Sequence, residues 1–410
     1  MRKLCLLFLV LFLLPPLCPA ENRADEKGRF LDAVALYGKG DFDAAAQLLD
    51  SLYQGGAASD AVCYYLGLSE AGRGQVASAQ KRLEEAVSRD SLNTWYLSAL
   101  ASVYEMGERW LSLALTCERL IQLDSAHFAE PFFYAKTGNA FSQARDTARG
   151  ILYLDKALAI VPDMPMALYN RAGLALIDED YEGFFDYAGR LLQTRELDAD
   201  WKQKYLQSML SAVPPATLET WKGPLLQLCA QAVAVHPEHL GLHVFRQSVA
   251  YVVKDYPEAI AEAEQIIALS GDDADTRESM TQLIGDAYME MGDEKRCFAA
   301  YEKVLKMNPD NIATLNNYAY SLALAGKNLS RALKMSEKTL AADPKNLTYL
   351  DTYGWILHRM GRNEKAKEIF KEAMIYGGRQ EKVILSHYAA VLQALGEADL
   401  ARYYESLSAQ

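Results

Sequence analysis

Three of the six histidines in the chain lie within eight residues and have side chains that could bind a metal ion. They are His236, His239 and His243, and the last two are four residues apart, a spacing that places two ligands on one face of a helix. However, Pro237 is expected to end a helix, so that His236 and His239 lie in a turn and only His243 begins the next helix. The order also differs from the His-Glu-x-x-His pattern of zinc proteases. We therefore interpret these three residues first as histidines at the boundary between repeats that bind no metal. The alternative is that the chain is a metal-binding protein.

The sequence contains no other pattern that would carry out a reaction. No glycine-rich phosphate loop follows a strand, and there is no Gly-x-Ser-x-Gly turn for a nucleophilic serine. The acidic runs 178–180 and 271–273 are predicted to lie in turns between helices, where carboxylates cap helix starts. We therefore expect no enzyme, no cofactor and no small-molecule substrate.

The elements that must position these residues recur at intervals of about 34 residues, which is the spacing of a helical-repeat array. Gly285 is followed seven residues later by Gly292, and Gly354 is followed in the same way by Gly361. The clearest copies are residues 278–311, 312–346 and 347–380. Weaker copies cover nearly all of the remaining chain.

Each copy is predicted to form two antiparallel helices joined by a tight turn. The first glycine of each pair is expected where the two helices cross, because only a small side chain permits close approach. The second is expected in the turn, where a left-handed backbone favours glycine. The pattern predicts an all-α protein of about ten to eleven such units.

The repeat resembles the tetratricopeptide repeat (TPR), and the stretch Tyr349–Trp355 is typical of exported bacterial TPR proteins. The resemblance implies an α-solenoid, a right-handed superhelix whose concave groove, lined by first helices, binds a peptide or a helix of a partner protein. It also implies a scaffold or adaptor in an assembly of the Gram-negative cell envelope, in the periplasm or associated with a membrane complex through protein contacts. A self-assembling structural subunit is a further alternative.

Groove positions in the clearest copies carry amides, an aromatic side chain and a cation, which suit recognition of a partner peptide. The alternative for the aromatic residue is packing within the array. The candidate partner-binding residues are Asp286, Asn316, Asn317, Tyr320, Asp351, Trp355, His358 and Arg359.

Residues 1–20 are predicted to be a secretory signal peptide that is cleaved after Ala20. Arg2 and Lys3 precede an apolar run of eleven residues, which is too short to span a bilayer comfortably. Lipidation at Cys18 is the alternative, although Leu17 occupies a place where a small residue is required.

The mature chain is predicted to contain two arrays separated by a divergent segment. The first array covers residues 21–198, and the second covers residues 240–410. Residues 199–239 depart from the pattern and end in a degenerate repeat, so that residues 193–224 are a candidate hinge.

The charge of the chain excludes one class of partner. Residues 21–277 carry 23 basic and 37 acidic side chains, whereas residues 278–410 carry 17 of each. An acidic protein of this kind is not expected to bind nucleic acid, because phosphate binding requires a basic surface.

The cysteines outside the signal segment are far apart and two occupy packing positions, so they are predicted to be buried free thiols.

Overall fold

The structure is a computed structural model that describes residues 20–212 and 215–409. These residues form 23 α-helices and one 3-10 turn, with no β-strand among them. The predicted signal peptide (apart from Ala20) and the alternative lipidation site Cys18 lie outside the described residues. None of the described helices combines the length and the apolar character that crossing a bilayer requires.

The chain divides into two compact units, unit 1 ending at Thr194 and unit 2 beginning at Arg195. This division falls inside the candidate hinge, while the predicted domain bounds themselves stay a prediction. The helices of unit 1 are α1 (Ala20–Gly38), α2 (Phe42–Gln54), α3 (Asp60–Gly72), α4 (Val76–Arg89), α5 (Thr94–Met106), α6 (Trp110–Leu123), α7 (Ser125–Phe128), α8 (Pro131–Gln143), α9 (Thr147–Ile160), α10 (Pro165–Ile177) and α11 (Tyr181–Gln193).

Unit 2 contains the remaining helices and a 3-10 turn at Gly378–Gln380. Its α-helices are α12 (Ala199–Ala212), α13 (Pro215–Val235), α14 (Leu240–Val252), α15 (Tyr256–Leu269), α16 (Ala274–Glu290), α17 (Glu294–Met307), α18 (Ile312–Ala325), α19 (Leu329–Ala342), α20 (Leu347–Arg359), α21 (Asn363–Ile375), α22 (Lys382–Ala394) and α23 (Ala398–Ser408).

Consecutive helices pack as pairs, and we call the members of each pair its first and second helix. Over the described part of the chain there are five pairs in unit 1, with the short α7 between the third and fourth, and six pairs in unit 2. The prediction of an all-α fold with about ten to eleven helix-turn-helix repeats is therefore confirmed. The divergent segment also forms a pair, in which the 21-residue α13 contains Pro224.

The crossing points explain why glycine recurs at one place in the repeat. A Cβ atom added to Gly285 would lie 2.6 Å from Tyr301 Cε1, and one added to Gly354 would lie 2.8 Å from Phe370 Cε2. Both partners are buried side chains of the second helix in the same pair. The same contact recurs in unit 1, where Gly138 faces Leu154. The predicted role of these glycines is confirmed, because any side chain would separate the two helices.

The turn inside most pairs has the same hydrogen-bond pattern. In α16–α17, the Asp293 N–H donates to the Tyr288 carbonyl at 2.9 Å, which closes the first helix with Gly292 in the left-handed region at φ 73°. The Asp293 carboxylate then accepts from the Arg296 N–H at the start of the second helix. Such a turn satisfies the end of one helix and the beginning of the next, and it reverses the chain within three residues.

All four cysteines that the structure describes are buried and unpaired. The prediction of buried free thiols is therefore confirmed for Cys63, Cys117, Cys229 and Cys297. Burial raises the pKa of the Cys117 thiol to about 11 and that of Cys229 to about 12. At neutral pH these groups are neutral and pack as small apolar side chains.

Candidate functional site

The candidate residues lie on three first helices of unit 2, α16, α18 and α20. Each of these helices contacts the first helix of the next pair, and α20 contacts α22. The first helices therefore form one face of the unit, which we call the unit 2 face. Because the candidates sit on adjacent helices at similar places in the repeat, their side chains meet across the boundaries between repeats.

Asp286 is the centre of one group of contacts. Its Oδ1 atom accepts hydrogen bonds from the Tyr301 hydroxyl at 2.6 Å and from Asn317 Nδ2 at 2.9 Å. Burial raises the pKa of this carboxyl, and the hydrogen bonds from Tyr301, Asn317 and Gln282 only partly oppose the shift. Asp286 thus joins α16 to α17 and to α18, and its first role is structural.

A second group of contacts surrounds Trp355. The Trp355 ring stacks on His387 of α22 with centroids 4.1 Å apart, and Tyr320 of α18 lies 6.0 Å from the same imidazole. His387 Nδ1 also lies 2.8 Å from Oδ1 of the buried Asp351. Three repeats therefore meet at His387. The alternative interpretation of Trp355, packing within the array, describes most of its contacts.

The remaining candidates differ in how open they are. Asn316 is buried, and its Nδ2 donates to Asn317 Oδ1 at 3.4 Å. His358 lies beside Trp355 and its Nδ1 atom is 2.8 Å from Asn363 Oδ1. Arg359 is exposed at the end of α20 and forms no ion pair with any residue that the structure describes. Among the eight candidates it presents the most open charge.

Sequence reasoning missed His387, which carries the contacts between the last two repeats. The signal was present, because His387 is the sixth residue of the copy that begins at Lys382, and Asn317 is the sixth residue of residues 312–346. The same register applied to the last copy would have placed the imidazole on the unit 2 face. The hydroxyl of Tyr301 belongs to a second helix, and no groove position indicates it.

The three clustered histidines have separate partners in the structure. His236 Nε2 lies 3.3 Å from the Leu197 carbonyl oxygen, and His239 caps α14 by accepting from the Leu242 N–H. His243 is buried, with Nδ1 2.5 Å from Glu262 Oε2. Within residues 20–212 and 215–409, no three His, Cys, Asp or Glu side chains form a group that could hold a metal ion.

His243 instead belongs to a cluster of polar and charged side chains between α14 and α15, in which His243 and Glu262 are buried and Arg246 and Glu258 are half-buried. Glu262 lies between His243 and Arg246, whose Nη1 is 2.8 Å from Glu262 Oε1, and Arg246 also pairs with Glu258. Each buried charge therefore has a partner of opposite sign or a hydrogen bond, which is the condition for burying charges at acceptable cost. The cluster joins two helices of one pair.

Several solved structures are similar to this chain. MamA MSR-1 is 20% identical, with a TM-score of 0.33 over 41% of this chain and 94% of that one. MamA from Desulfovibrio magneticus RS-1 is 17% identical, with a TM-score of 0.35 over 41% and 92%. The structure of Naa15/Naa10 bound to HypK-THB is 15% identical, with a TM-score of 0.33 over 93% and 68%. At these values no partner or activity can be transferred to this chain.

Comparison with curated protein sequences finds no significant match. The sequence profile of the tetratricopeptide repeat matches residues 280–311 and 347–374. The first segment lies within α16–α17 and the turn that follows, and the second covers α20 and most of α21. These are the copies in which Gly285 and Gly354 sit at the crossing points of their helix pairs. The profile matches identify residues 280–311 and 347–374 as tetratricopeptide repeats, and the other helix pairs that the structure describes share the same helix-turn-helix architecture.

Proposed function

We propose that this chain is an exported scaffold or adaptor that binds a protein partner along the unit 2 face, within an assembly of the cell envelope. The observation that carries the proposal is the continuous set of contacts between first helices. Gln282 of α16 lies 3.0 Å from Thr314 Oγ1 of α18, Asn317 of α18 bonds to Asp286, and Asp351 of α20 lies beside His387 of α22. These contacts support an extended, pre-organised surface, as a protein-binding scaffold requires.

The open groups on this surface suit a peptide or a partner helix. Arg359 offers a guanidinium that can bind a carboxylate through two hydrogen bonds. The half-buried Trp355 beside it offers an aromatic surface, and tryptophan and arginine are the side chains that most often dominate interface energies. We infer no catalytic turnover, because the two carboxylates among the candidate residues, Asp286 and Asp351, are engaged in contacts between helices.

The test is crosslinking and affinity capture of the chain from the envelope fraction of its own cells, compared between the parent and the variants Arg359→Ala and Trp355→Ala. We expect one or two proteins that crosslink to the first helices of residues 278–380, and at least a tenfold loss of affinity in each variant without a loss of helicity. Arg402→Ala is the matched control, since it removes an exposed arginine from the second helix α23.

Three results would contradict the proposal. Unchanged partner binding in both variants would remove the site from the unit 2 face. Recovery of the chain alone, together with an oligomer that depends on concentration, would favour the self-assembling subunit. Recovery from a fraction other than the envelope would exclude the proposed location.

A further inference from the structure

The first helices of unit 1 carry large apolar side chains that nothing in the unit covers. Trp95 is the second residue of α5 and is 75% exposed, and Phe132 is the second residue of α8 and is 59% exposed. Because stacked repeats place equivalent residues on the same side, the two rings belong to one face. We call the exposed side of α5, α8 and α10 the unit 1 face.

A second apolar row lies at the other end of the same helices. Met106 is the last residue of α5 and Ile177 is the last residue of α10, and they are 53% and 71% exposed. Eleven residues separate Trp95 from Met106, which is about 16 Å along a helix. An ion pair between Glu105 and Lys136 lies next to the second row. Exposed apolar groups rimmed by polar ones mark an interaction site.

Gly173 leaves open space on the same face. It lies in the interior of α10 on the unit 1 face, where glycine is a poorer helix former than alanine. A Cβ atom at this place would meet nothing within 4 Å, unlike Gly138, whose added Cβ would touch Leu154. Packing inside the chain therefore does not require glycine here. The open space over this glycine would let a partner's backbone approach the helix closely.

The charge of unit 1 indicates which kind of partner would bind to the unit 1 face. Residues 21–194 carry 25 acidic and 16 basic side chains. In the turns before and after the helices of the unit 1 face, exposed carboxylates outnumber exposed arginines; the carboxylates include Glu108, Glu130, Asp163 and Glu179, and the arginines are Arg109 and Arg145. A second copy of this acidic chain would be repelled, and so would an anionic bilayer surface. A segment with excess lysine and arginine would be attracted.

We propose that the unit 1 face binds a basic segment of a partner protein, which places apolar side chains against Trp95 and Phe132 and passes its backbone over Gly173. The inference rests on the proposed function only in treating the chain as a protein-binding scaffold, because the surface and its chemistry differ from those of the unit 2 face. The chain would then hold two partner segments, one on each unit.

The test is selection of a random library of 12-residue peptides, displayed on phage, against the full chain. The recovered peptides are synthesised, and their affinities are measured by fluorescence anisotropy. We expect a set of peptides with net positive charge and at least two large apolar residues. Trp95→Ala and Phe132→Ala should each weaken their binding by about tenfold or more, and Gly173→Ala should weaken it as well. Leu111→Ala is the matched control, since Leu111 is 51% exposed on the second helix α6.

Each other outcome overturns the inference. Peptides that bind the Trp95 and Phe132 variants as tightly as they bind the parent would bind at a different site. If Arg359→Ala abolishes the binding of those peptides, the proposed function stands and the inference about the unit 1 face is wrong. Acidic or neutral peptides that depend on Trp95 would refute the basic occupant. A failure to recover any peptide excludes a short segment as the occupant. Self-association, or binding to vesicles of zwitterionic lipid, that is lost on Trp95→Ala would assign the face to a second copy or to a membrane.

Discussion

The same substitution at two glycines of unit 1 should have opposite effects on stability. A Cβ atom added to Gly138 would lie 2.7 Å from Leu154 Cγ and 2.9 Å from both the Gly150 carbonyl oxygen and the Leu154 nitrogen. Two of these three atoms belong to the backbone of α9, so relief requires α8 and α9 to separate. A Cβ atom added to Gly173 would meet nothing within 4 Å.

The magnitudes follow from two terms. Alanine in place of glycine favours a helix interior by about 1 kcal/mol at either position. Overpacking costs about 1–3 kcal/mol, and the upper end applies to Gly138 because the contacts are with backbone atoms. We therefore expect Gly138→Ala to lower the free energy of unfolding by about 2 kcal/mol, and Gly173→Ala to raise it by up to about 1 kcal/mol.

The assay must resolve single repeats, because the stability of a repeat array is a sum of local and nearest-neighbour terms. Hydrogen exchange read by mass spectrometry on peptides from α8–α9 and α10–α11 reports each pair separately, and urea unfolding followed by circular dichroism reports the whole chain. Protection of α8–α9 should fall in Gly138→Ala, while protection of α10–α11 should rise in Gly173→Ala. Equal shifts in the two variants, or greater protection of α8–α9 in Gly138→Ala, would refute the account of the crossing point.

Two further predictions concern ionisable groups. Burial raises the pKa of the four thiols of Cys63, Cys117, Cys229 and Cys297. The folded chain should therefore react with a thiol reagent at pH 8 far more slowly than the urea-unfolded chain. Rapid reaction of any one of these thiols in the folded chain would show that its site opens. Since burial raises the pKa of Asp286 in the folded state, its contribution to stability is lost as the pH rises from the unfolded value through the folded one. The free energy of unfolding of Asp286→Asn and of the parent is measured by urea unfolding between pH 3 and pH 7. The difference, variant minus parent, should increase with pH. A decrease would show that the folded state favours the ionised form of Asp286 over the protonated form.

The contacts of the candidate residues cannot be predicted from the sequence of one repeat alone. The register of the repeat predicts which residues of a first helix point towards the groove, and the assignment of Trp355 and Asp351 to that side stays a prediction. It does not indicate what the next repeat places against them. His387 follows Asp351 by 36 residues, and it covers the carboxylate and one side of the indole. Whether a groove residue is open or already occupied therefore depends on its neighbours in the adjacent repeats.

The sequence by itself determined the helical class, the number of repeats and the positions of the crossing and turn glycines. These features follow from local sterics, since a side chain at Gly285 would collide within its own helix pair, and the backbone of Gly292 has a positive φ. Only the tertiary structure decided that His243 is a buried partner of Glu262 and that Trp95 and Phe132 stand uncovered. Burial and pairing arise from contacts between separate helices, so the pattern within one helix does not contain them.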